Sequence, residues 1–598
     1  MKAKQKKEIT IDKKEIIIVS LLLLVALIFR LIYLSSLKAN DPSFYNPPLG
    51  TDMLTYDNYA KQILDGTFSN KGPYYYGPLY FYFLALIYKI FGIDPYFPRL
   101  IQMILGVLTS FLTYLIAKKV FNKPIGYISL IISILYAMFY IHEGVLLMES
   151  LITFLNTLSI FLLLRIEDNP SYKNIAFAGI SLGLSALARA NILLFIPFLL
   201  PWMLINSKFK IQNSKFLRYG FLCLIILLTI SPATIRNYLV SGRFVLISTN
   251  GPVNLWIGNN PYADGEYTYP PSHYQKMVDD IVRKKGDGAY IDEVIRFFKN
   301  NPKGFFLLQL KKFLLFWQAY EIENNTNYPM QRNYSWLLRL PIFLGFGSVG
   351  ILALVGTILS IKSLRRILLL YLFLFSGMLS IVIVFILGRY KICFLPIFII
   401  FAGFSLNWWY EKIKERKLSP ILLSLIPLFF SGNLVYSQYI SGFFYPLVHP
   451  EGIHKEIEGV IVIKDNGDNE RLSKDAFVLK GEIKKELIIT ENLQKFKEII
   501  LFFSYQAEKP GALTVDINGR IRGDCSIGGS GSLLQIGSIR LNPSLFNKGK
   551  NTIVISSSEN FLFPIDEGIT FKRSFFLKNG RWESLKKGEF MVWLELIR

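Results

Sequence analysis

Long apolar stretches separated by short polar connections dominate the first two-thirds of the chain. A helix needs about 20 predominantly apolar residues to cross the hydrocarbon core of a bilayer. Runs of this kind begin near Glu15, Phe97, Pro124, Ser150, Asn174, Asn191, Gly220, Leu340, Ile367, Ile392 and Leu418. The pattern therefore predicts a polytopic α-helical membrane protein with about eleven spanning helices.

Two connections are much longer than the others, and they run from about 36 to 96 and from about 237 to 339. In the first, Asp52 to Leu64 repeats apolar residues at helical spacing, which favours a helix lying flat on the membrane. Pro78 to Phe91 is more apolar but too short to cross comfortably, and Gly77-Pro78 opens it as a helix start. Both segments are predicted to be juxtamembrane helices of a first outer loop.

The basic residues give an orientation. They cluster in Lys2–Lys14, Lys118–Lys123, Lys208–Arg218, Lys362–Arg366 and Lys412–Lys417. Lysine and arginine are enriched in cytoplasmic connections, so these clusters predict a cytoplasmic N-terminus. An odd number of spans then leads the C-terminus to the extracytoplasmic side.

Beyond about Gly459 the apolar runs become short and alternating, and Gly, Asn and Pro separate them. Ala476–Leu479, Glu498–Phe503, Ala512–Ile517 and Asn551–Ser556 are typical of strands. Asn518-Gly519 directly after such a run indicates a hairpin turn. We expect an all-β sandwich over 455–598, exported across the membrane, after a membrane domain over 1–445.

Composition agrees with this division and excludes other classes. Of the 598 residues, 52% are hydrophobic and only 18% charged, whereas soluble domains carry roughly a quarter charged residues. The net charge of +23 does not indicate nucleic-acid binding, because the basic residues sit between apolar runs. The three cysteines, Cys223, Cys393 and Cys525, form no disulfide framework or zinc spacing. His142, His273, His449 and His454 are expected to be loop residues rather than metal ligands.

Ionisable groups at the ends of spans are the candidate chemistry, because such groups are costly in a membrane. They are Asp52, Glu149, Arg189, Arg236, Arg389 and Lys391. By the topology above, all of them belong to the outer surface. A carboxylate there can take the proton of an attacking hydroxyl, and cations can hold a departing phosphate.

Each of these residues also has a structural interpretation. Asp52 and Glu149 stand at helix starts, where the helix dipole alone favours a carboxylate. Arg189 and Arg236 are typical of membrane anchors at helix ends, and Arg389-Tyr390-Lys391 of an interfacial girdle. Asp57 competes with Asp52 as the first-loop carboxylate. The Glu321–Glu323 pair is expected to be a solvated loop face.

The order of short motifs along the chain says more than any single residue. They are Gly50-Thr51-Asp52, Tyr76-Gly77-Pro78-Leu79-Tyr80, Leu147-Met148-Glu149-Ser150, Gly183 to Asn191, Pro232 with Arg236-Asn237, Gly258-Asn259-Asn260-Pro261, and Gly388-Arg389-Tyr390-Lys391 through Pro396. Over residues 15 to about 410 this order resembles the membrane glycosyltransferases of the C-type fold (GT-C). That group includes the protein O-mannosyltransferases of glycosyltransferase family 39 and the aminoarabinose transferase of lipid A. The chain departs from the family pattern at Gly77 and Cys393, where proline is usual.

The resemblance implies a helical bundle whose first outer loop carries the catalytic acid. It implies a polyprenyl-phosphate-linked sugar as donor and transfer to a hydroxyl, usually with inversion, on the extracytoplasmic side. Carried over by motif, Asp52 is the general base and Glu149 the second acid. The cations at the phosphate are Arg389 and Lys391, with Arg189 and Arg236. The supporting residues are Tyr56, Asp57 and Tyr390. Some relatives bind a divalent metal near the acids, so a divalent metal is a candidate cofactor.

The expected partners are the lipid-linked donor, the bilayer of a cell (plasma or inner) membrane, and a glycolipid, polysaccharide or protein acceptor. Two hypotheses of other classes stay open. A transporter or lipid flippase would place polar groups at the bilayer midplane, often in repeated halves. An inactive carbohydrate-binding membrane scaffold would keep the periodicity without the chemistry.

Overall fold

The computed structural model describes residues 12–68, 72–205, 212–326, 328–437, 451–457, 460–465, 477–507, 511–527, 535–566, 570–578, 580–585 and 589–598. Helices occupy the chain up to Val435, and strands begin at Ile453. The predicted end of the membrane domain at 445 lies outside the described residues, as do His449, Ala476 and parts of two basic clusters (1–11 and 206–211).

The helical part contains twenty α-helices among the described residues. They are α1 Lys13–Asn40, α2 Asp52–Leu64, α3 Leu79–Phe91, α4 Tyr96–Val120, α5 Lys123–Leu135, α6 Ala137–Glu143, α7 Glu149–Asp168, α8 Tyr172–Ala188, α9 Ile196–Ile205, α10 Gln212–Ser241, α11 Asn250–Ile257, α12 Ser272–Lys285, α13 Gly288–Asn300, α14 Pro302–Phe316, α15 Tyr328–Asn333, α16 Phe346–Ser360, α17 Leu364–Val382, α18 Gly388–Lys391, α19 Leu395–Lys414 and α20 Leu418–Val435. Single 3₁₀ turns at Ala190–Phe195, Leu337–Arg339, Ile361–Ser363 and Ile392–Phe394 connect several of them.

The structure confirms a polytopic helical membrane protein. Within the described ranges, seven helical stretches are long and apolar enough to cross a membrane. They are Lys13–Asn40, Tyr96–Val120, Glu149–Asp168, Lys215–Ser241, Phe346–Val382, Gly388–Lys414 and Leu418–Val435.

Seven such stretches are fewer than the predicted eleven spans because some predicted spans are continuous with one another and others are too short. The stretch Phe346–Val382 joins two predicted spans through the turn Ile361–Ser363, and Lys123–Leu135 and Ala190–Ile205 are apolar but shorter. The helix α5 ends early because Tyr136 adopts an extended backbone before α6 begins.

The first long loop, which the sequence predicts to be an outer loop, contains two helices at the predicted positions. Helix α2 spans the predicted Asp52–Leu64, and Thr51 caps it by accepting a hydrogen bond from the Leu54 N–H (3.3 Å). Its buried face includes Met53, Tyr56 and Ala60, as the helical spacing predicts. Helix α3 packs beside it, so the apolar residues of both helices join the main core.

Gly77 explains one departure from the family pattern. A side-chain carbon at this position would lie 2.3 Å from the Ala188 carbonyl oxygen and 2.6 Å from that of Leu187. The start of α3 therefore approaches the end of α8 so closely that a larger residue must displace one of them.

The β part contains thirteen strands among the described residues. They are β1 Ile453–Ile457, β2 Val460–Lys464, β3 Phe477–Ile489, β4 Glu498–Ala507, β5 Gly511–Ile517, β6 Arg520–Ile527, β7 Gln535–Leu541, β8 Gly549–Phe563, β9 Ile565–Asp566, β10 Ser574–Lys578, β11 Arg581–Ser584, β12 Glu589–Phe590 and β13 Val592–Ile597. All pairings between them are antiparallel.

Eleven strands form a sheet with the order β1-β2-β13-β4-β8-β3-β10-β11, with β7 on β4 and β5-β6 on β8, and β9 pairs β12 separately. Strand β4 pairs β8 only at Gln506 and Ala507, whereas it pairs β7 and β13 along most of its length. The sheet therefore divides into two halves, and both halves contribute side chains to a core separate from that of the helices. This arrangement confirms an all-β C-terminal region.

The turn between β5 and β6 is the one predicted from Asn518-Gly519. Both residues have positive φ, 56° at Asn518 and 80° at Gly519, which suits the turn type that this dipeptide favours. Ile517 pairs with Arg520 across it.

Candidate active site

Asp52 is the first residue of α2, and three side chains converge on its carboxylate. Arg389 donates from Nη1 to Oδ2 at 2.8 Å, and Asn325 donates from Nδ2 to the same oxygen at 2.9 Å. The Tyr76 hydroxyl donates to Oδ1 at 3.2 Å. Asp52 and Arg389 are 337 residues apart in sequence, so the fold brings the first outer loop onto the short helix α18. The Asp52 side chain nevertheless keeps 19% of its surface exposed.

Asn325 also fixes the backbone of Asp52. Its Oδ1 accepts the Asp52 N–H at 2.9 Å, so one side chain bonds both the backbone and the carboxylate of the same residue. Asn325 has a φ of 62°, a left-handed conformation that asparagine tolerates better than most residues.

Glu149 forms the second acidic centre, at the first position of α7. Its side chain is fully buried, and its Oε1 accepts from Arg189 Nη2 at 2.6 Å. Arg389 Nε lies 3.9 Å from the same oxygen, so Arg389 bridges Asp52 and Glu149. Within the described part of the chain, Arg389 Nε and Glu149 Oε2 are buried without a hydrogen-bond partner. The site therefore keeps one donor and one acceptor available for a ligand.

Tyr390 lies between the two arginines. The Arg189 guanidinium stands 4.4 Å from the centre of its ring and that of Arg389 5.4 Å. The opposite neighbour is Phe385, whose ring stacks on Tyr390 at 5.8 Å. Cation–π contacts of this kind hold two like charges near each other in a site of low polarity.

Lys391 belongs to an adjoining pair. Its Nζ lies 3.3 Å from Glu321 Oε2 and 3.4 Å from the Gln318 carbonyl oxygen, and it is buried. The Tyr136 hydroxyl donates to Glu321 Oε1 at 3.2 Å. The prediction that Glu321 belongs to a solvated loop face is wrong, because Lys391 and Tyr136 draw it into the helical bundle.

We call Asp52, Glu149, Arg189, Arg389 and Tyr390 the acid–arginine cluster. It lies at the end of the bundle opposite the basic connections. Helix α7 has 20 residues and is therefore about 30 Å long, which matches the hydrocarbon thickness. Glu149 stands at one end of this helix, and Asp168 at the other end pairs with Lys119.

The basic end gathers several predicted cytoplasmic residues. Lys123 pairs with Asp12 at 2.8 Å, and Lys118 pairs with Glu15. Arg366 donates to the Phe121 carbonyl oxygen at 3.2 Å. Two basic connections and the start of α1 therefore meet at one end of the bundle, as the sequence predicts.

Two predicted site residues have other partners. Arg236 donates to the Gly72 carbonyl oxygen at 2.8 Å and stacks on the Tyr74 ring at 4.1 Å, so these two contacts join it to the first long loop. Asp57 is buried, accepts from Tyr88 at 2.6 Å and pairs with Lys61 at 2.6 Å. These contacts give Asp57 a structural role and leave Asp52 as the carboxylate that meets Arg389.

Tyr56 packs against the aromatic neighbours of Asp52 rather than against its charged partners. Its ring packs edge-on against Tyr76 and Tyr80, each at 5.3 Å. Tyr76 in turn holds Asp52. Burial and the Asp52 carboxylate raise the pKa of the Tyr76 phenol, so it remains a protonated donor.

Sequence reasoning missed Asn325, Tyr76 as a ligand of Asp52, and Glu321. Asn325 and Glu321 lie in a polar loop in which no periodicity marks them. His142 is also not a loop residue as predicted, since it is buried in α6, and His454 lies in β1.

The divalent metal is a prediction from the resemblance. Within the described residues no group of three or more His, Cys, Asp or Glu side chains is arranged to hold a metal ion. Asp52 and Glu149 are each paired with an arginine.

The fold and the cluster define a polytopic membrane protein that carries paired acids and arginines at one end of its bundle, followed by an all-β region. Residues 73–235 match the family described as dolichyl-phosphate-mannose-protein mannosyltransferase. This match confirms, over that segment, the resemblance to the protein mannosyltransferases. The matched segment contains Tyr76, Glu149 and Arg189.

Several solved structures are similar to the chain. The oligosaccharyltransferase of Archaeoglobus fulgidus, in a complex with Zn and sulfate, is 14% identical over 69% of this chain and 52% of its own, with a TM-score of 0.40. ArnT from Cupriavidus metallidurans bound to undecaprenyl phosphate is 13% identical over 67% and 63%, with a TM-score of 0.39. Arabinosyltransferase EmbB from Mycobacterium smegmatis is 10% identical over 93% and 65%, with a TM-score of 0.28.

The chain thus spans about half to two-thirds of the length of these structures. No curated protein sequence matches it.

Proposed function

We propose that this protein is a membrane glycosyltransferase that moves a sugar from a polyprenyl-phosphate donor to an acceptor hydroxyl. The observation that carries the proposal is the acid–arginine cluster, in which Arg389 bridges the partly exposed Asp52 and the buried Glu149. Transfer from a lipid phosphate needs a base for the acceptor and cations for the leaving group, and this cluster holds both within one network. The family match over residues 73–235 supports the same donor class.

In the proposed reaction Asp52 is the general base. The acceptor hydroxyl gives its proton to the Asp52 carboxylate while its oxygen attacks the anomeric carbon of the sugar. The bond between that carbon and the phosphate oxygen breaks with its electron pair, so the polyprenyl phosphate leaves as an anion. Attack opposite the leaving group inverts the anomeric centre.

The cations act on the leaving group. Arg389 is 11% exposed, and its guanidinium has further N–H donors besides Nη1, which bonds Asp52, and Nε, which faces Glu149, so it can donate to a phosphate while it bridges the two acids. Lys391 and Arg189 add positive charge beside it. Glu149 holds Arg189 and Arg389 in position through a fully buried carboxylate, which would otherwise be an unpaired charge of high cost.

We propose the outer interface of a cell (plasma or inner) membrane as the place of reaction. The acid–arginine cluster and the basic connections occupy opposite ends of α7, and basic connections are typical of the cytoplasmic side. The N-terminus is then cytoplasmic and the β region extracytoplasmic. A site at the interface lets the lipid tail of the donor remain in the bilayer.

Glycolipid, polysaccharide and protein hydroxyls are the acceptor classes for this chemistry. The transporter and inactive-scaffold hypotheses differ from the enzyme in one respect that can be measured, since neither forms a new glycosidic bond. The experiment therefore follows the sugar into a product.

The test compares wild type with Asp52→Asn in lipid. Both proteins are offered radiolabelled polyprenyl-phosphate sugars and a cell-envelope extract. The asparagine keeps the shape of the side chain but cannot take the proton, so transfer should fall by about two orders of magnitude or more. Asp65→Asn, at the exposed end of the same helix, is the matched control and should transfer at the wild-type rate.

Equal transfer by wild type and Asp52→Asn would remove Asp52 from the mechanism. Binding or movement of the donor across the bilayer, with no labelled product from wild type on a broad panel, would favour the transporter or scaffold. A labelled product from wild type also identifies the acceptor class.

A further inference from the structure

A second group of charges lies in the β region, far along the sequence from the acid–arginine cluster. It consists of Lys485 on β3, Asp465 directly after β2, and Glu589 on β12, and we call it the buried triad. All three side chains have no exposed surface. The strands β2 and β3 belong to different halves of the sheet, so the triad joins these halves through the core.

The contacts within the triad are short. Lys485 Nζ lies 2.5 Å from Asp465 Oδ1 and 2.9 Å from Glu589 Oε2. Neither oxygen of Asp465 has a partner with hydrogen-bond geometry in the described part of the chain, although the amine is so close. The amine thus approaches the Asp465 carboxyl group closely without bonding to it as a normal donor.

Glu589 is held by a different set of donors. Its Oε1 accepts the backbone N–H of Phe571 at 2.6 Å and that of Arg573 at 3.2 Å. Its Oε2 accepts from the Ser574 hydroxyl at 2.6 Å as well as from Lys485. Four donors therefore fix Glu589, whereas Asp465 lies against the Lys485 amine.

Burial decides the protonation of such a group. Charges removed from water are costly, so burial favours the neutral form of a carboxyl group. Burial raises the pKa of Asp465 well above the usual range of an aspartate, which favours its protonated form. The Lys485 amine is thus held in close contact with a carboxyl group in a dry core, as a nucleophile beside an electrophile.

We propose that Lys485 and Asp465 condense into an intramolecular amide that covalently links β2 to β3, with Glu589 as the proton carrier. The Nζ lone pair attacks Asp465 Cγ, and the Nζ–Cγ bond forms. Glu589 takes a proton from Nζ and delivers it to the departing carboxyl oxygen. The Cγ–O bond then breaks, and that oxygen leaves as water, so the product is one amide and one water molecule with no oxidant or cofactor.

The environment favours this product. The amide is uncharged, so it removes the buried ion pair, and the apolar core around it, which includes Ile463 and Leu487, keeps water away from the reverse reaction. The link closes a ring over residues 465–485 and ties the two halves of the sheet together. An exported domain would gain resistance to unfolding and proteolysis from it, as it would from a disulfide.

The intact mass of the purified full-length protein tests the proposal. Wild type should be lighter than its sequence by one water molecule. After denaturation and tryptic digestion, the peptides that contain Asp465 and Lys485 should appear as one branched species, because trypsin does not cleave after an acylated lysine. A wild-type protein of full mass with two separate linear peptides would overturn the proposal and leave an ordinary buried ion triad.

Variants assign the roles. Lys485→Met should restore the full mass, and Glu589→Gln should do the same because the proton carrier is lost. Asp465→Asn presents an amide in place of the acid. A link formed by this variant releases ammonia, so its mass deficit relative to its own sequence is that of ammonia instead of water. Lys550→Met, on a largely exposed lysine paired with Glu486, is the control and should keep the loss of water. Loss of water from Lys485→Met would show that the modification is elsewhere and would refute the assignment.

Discussion

The acid–arginine cluster and the buried triad both combine acids with a cation, but they differ in access to solvent. In the first, the side chains of Asp52 and Arg389 are 19% and 11% exposed. In the second, the side chains of Lys485, Asp465 and Glu589 have no solvent-exposed surface. The first is assembled from segments 337 residues apart at the surface of a bundle. The second connects strands from the two halves of the sheet across the core of the β region.

This difference decides what each group can do. An exposed pair can exchange one partner for a substrate, because water and ligand reach it and the free partner remains solvated. A sealed pair has no other partner, so it must be satisfied internally or react internally. Similar residue types therefore serve intermolecular transfer in one region and, by the proposal above, internal cross-linking in the other.

The largest expected effect comes from removing the bridging arginine. Arg389→Ala deletes the donor closest to both acids, so kcat/KM for the lipid-linked sugar should fall by about 10²–10³-fold. Steady-state transfer at several donor concentrations measures this. Arg283→Ala, at a highly exposed arginine of α12, is the control and should match wild type. Unchanged donor kinetics in Arg389→Ala would remove Arg389 from the site.

A smaller effect is expected from breaking the sealed group. Lys485→Met cannot form the amide, so the β region should lose about 3 kcal/mol of stability, by analogy with a disulfide that closes a loop of similar length. Urea unfolding followed by protease sensitivity of the β region measures this loss. Sugar transfer should be unaffected, because Lys485 belongs to the other core. An unchanged unfolding midpoint would contradict a stabilising link.

The last prediction concerns a buried lysine with a neutral partner. Lys312 on α14 donates to Asn259 Oδ1 at 2.8 Å, and burial lowers its pKa from 10.5 to about 7. Between these values the unfolded chain binds more protons than the folded one, so stability should rise with pH from about 7 to 10.5. Lys312→Met should flatten this rise in thermal unfolding, and Lys311→Met, its neighbour, is the control. An identical pH dependence in wild type and Lys312→Met would contradict the shift.

The sequence predicted those parts of the fold that depend on local periodicity. Asp52–Leu64 was predictable because helical spacing and the Thr51 cap lie within one segment. Asn518-Gly519 was predictable because the turn needs two positive φ values. The exact lengths of α5 and α8 were not, because the backbone at Tyr136 and Arg189 turns extended only in its tertiary surroundings.

The candidate site was predicted in part. Asp52, Glu149, Arg189 and Arg389 meet, as their common place at span ends suggests. Arg236 bonds the first outer loop instead, because a cation at a helix end also satisfies nearby carbonyl groups. Asn325, Glu321 and the buried triad carry no local signal, since their roles arise only when distant segments are brought together.

Asn325 links the position of the second long loop to the hydrogen bonding of Asp52. It bonds both the N–H and the carboxylate of Asp52 from the second outer loop. A movement of that loop large enough to admit an acceptor would withdraw a donor and an acceptor from Asp52 together. The position of that loop and the hydrogen bonding of the base are therefore coupled through one side chain, while Arg389 and Tyr76 continue to hold the carboxylate.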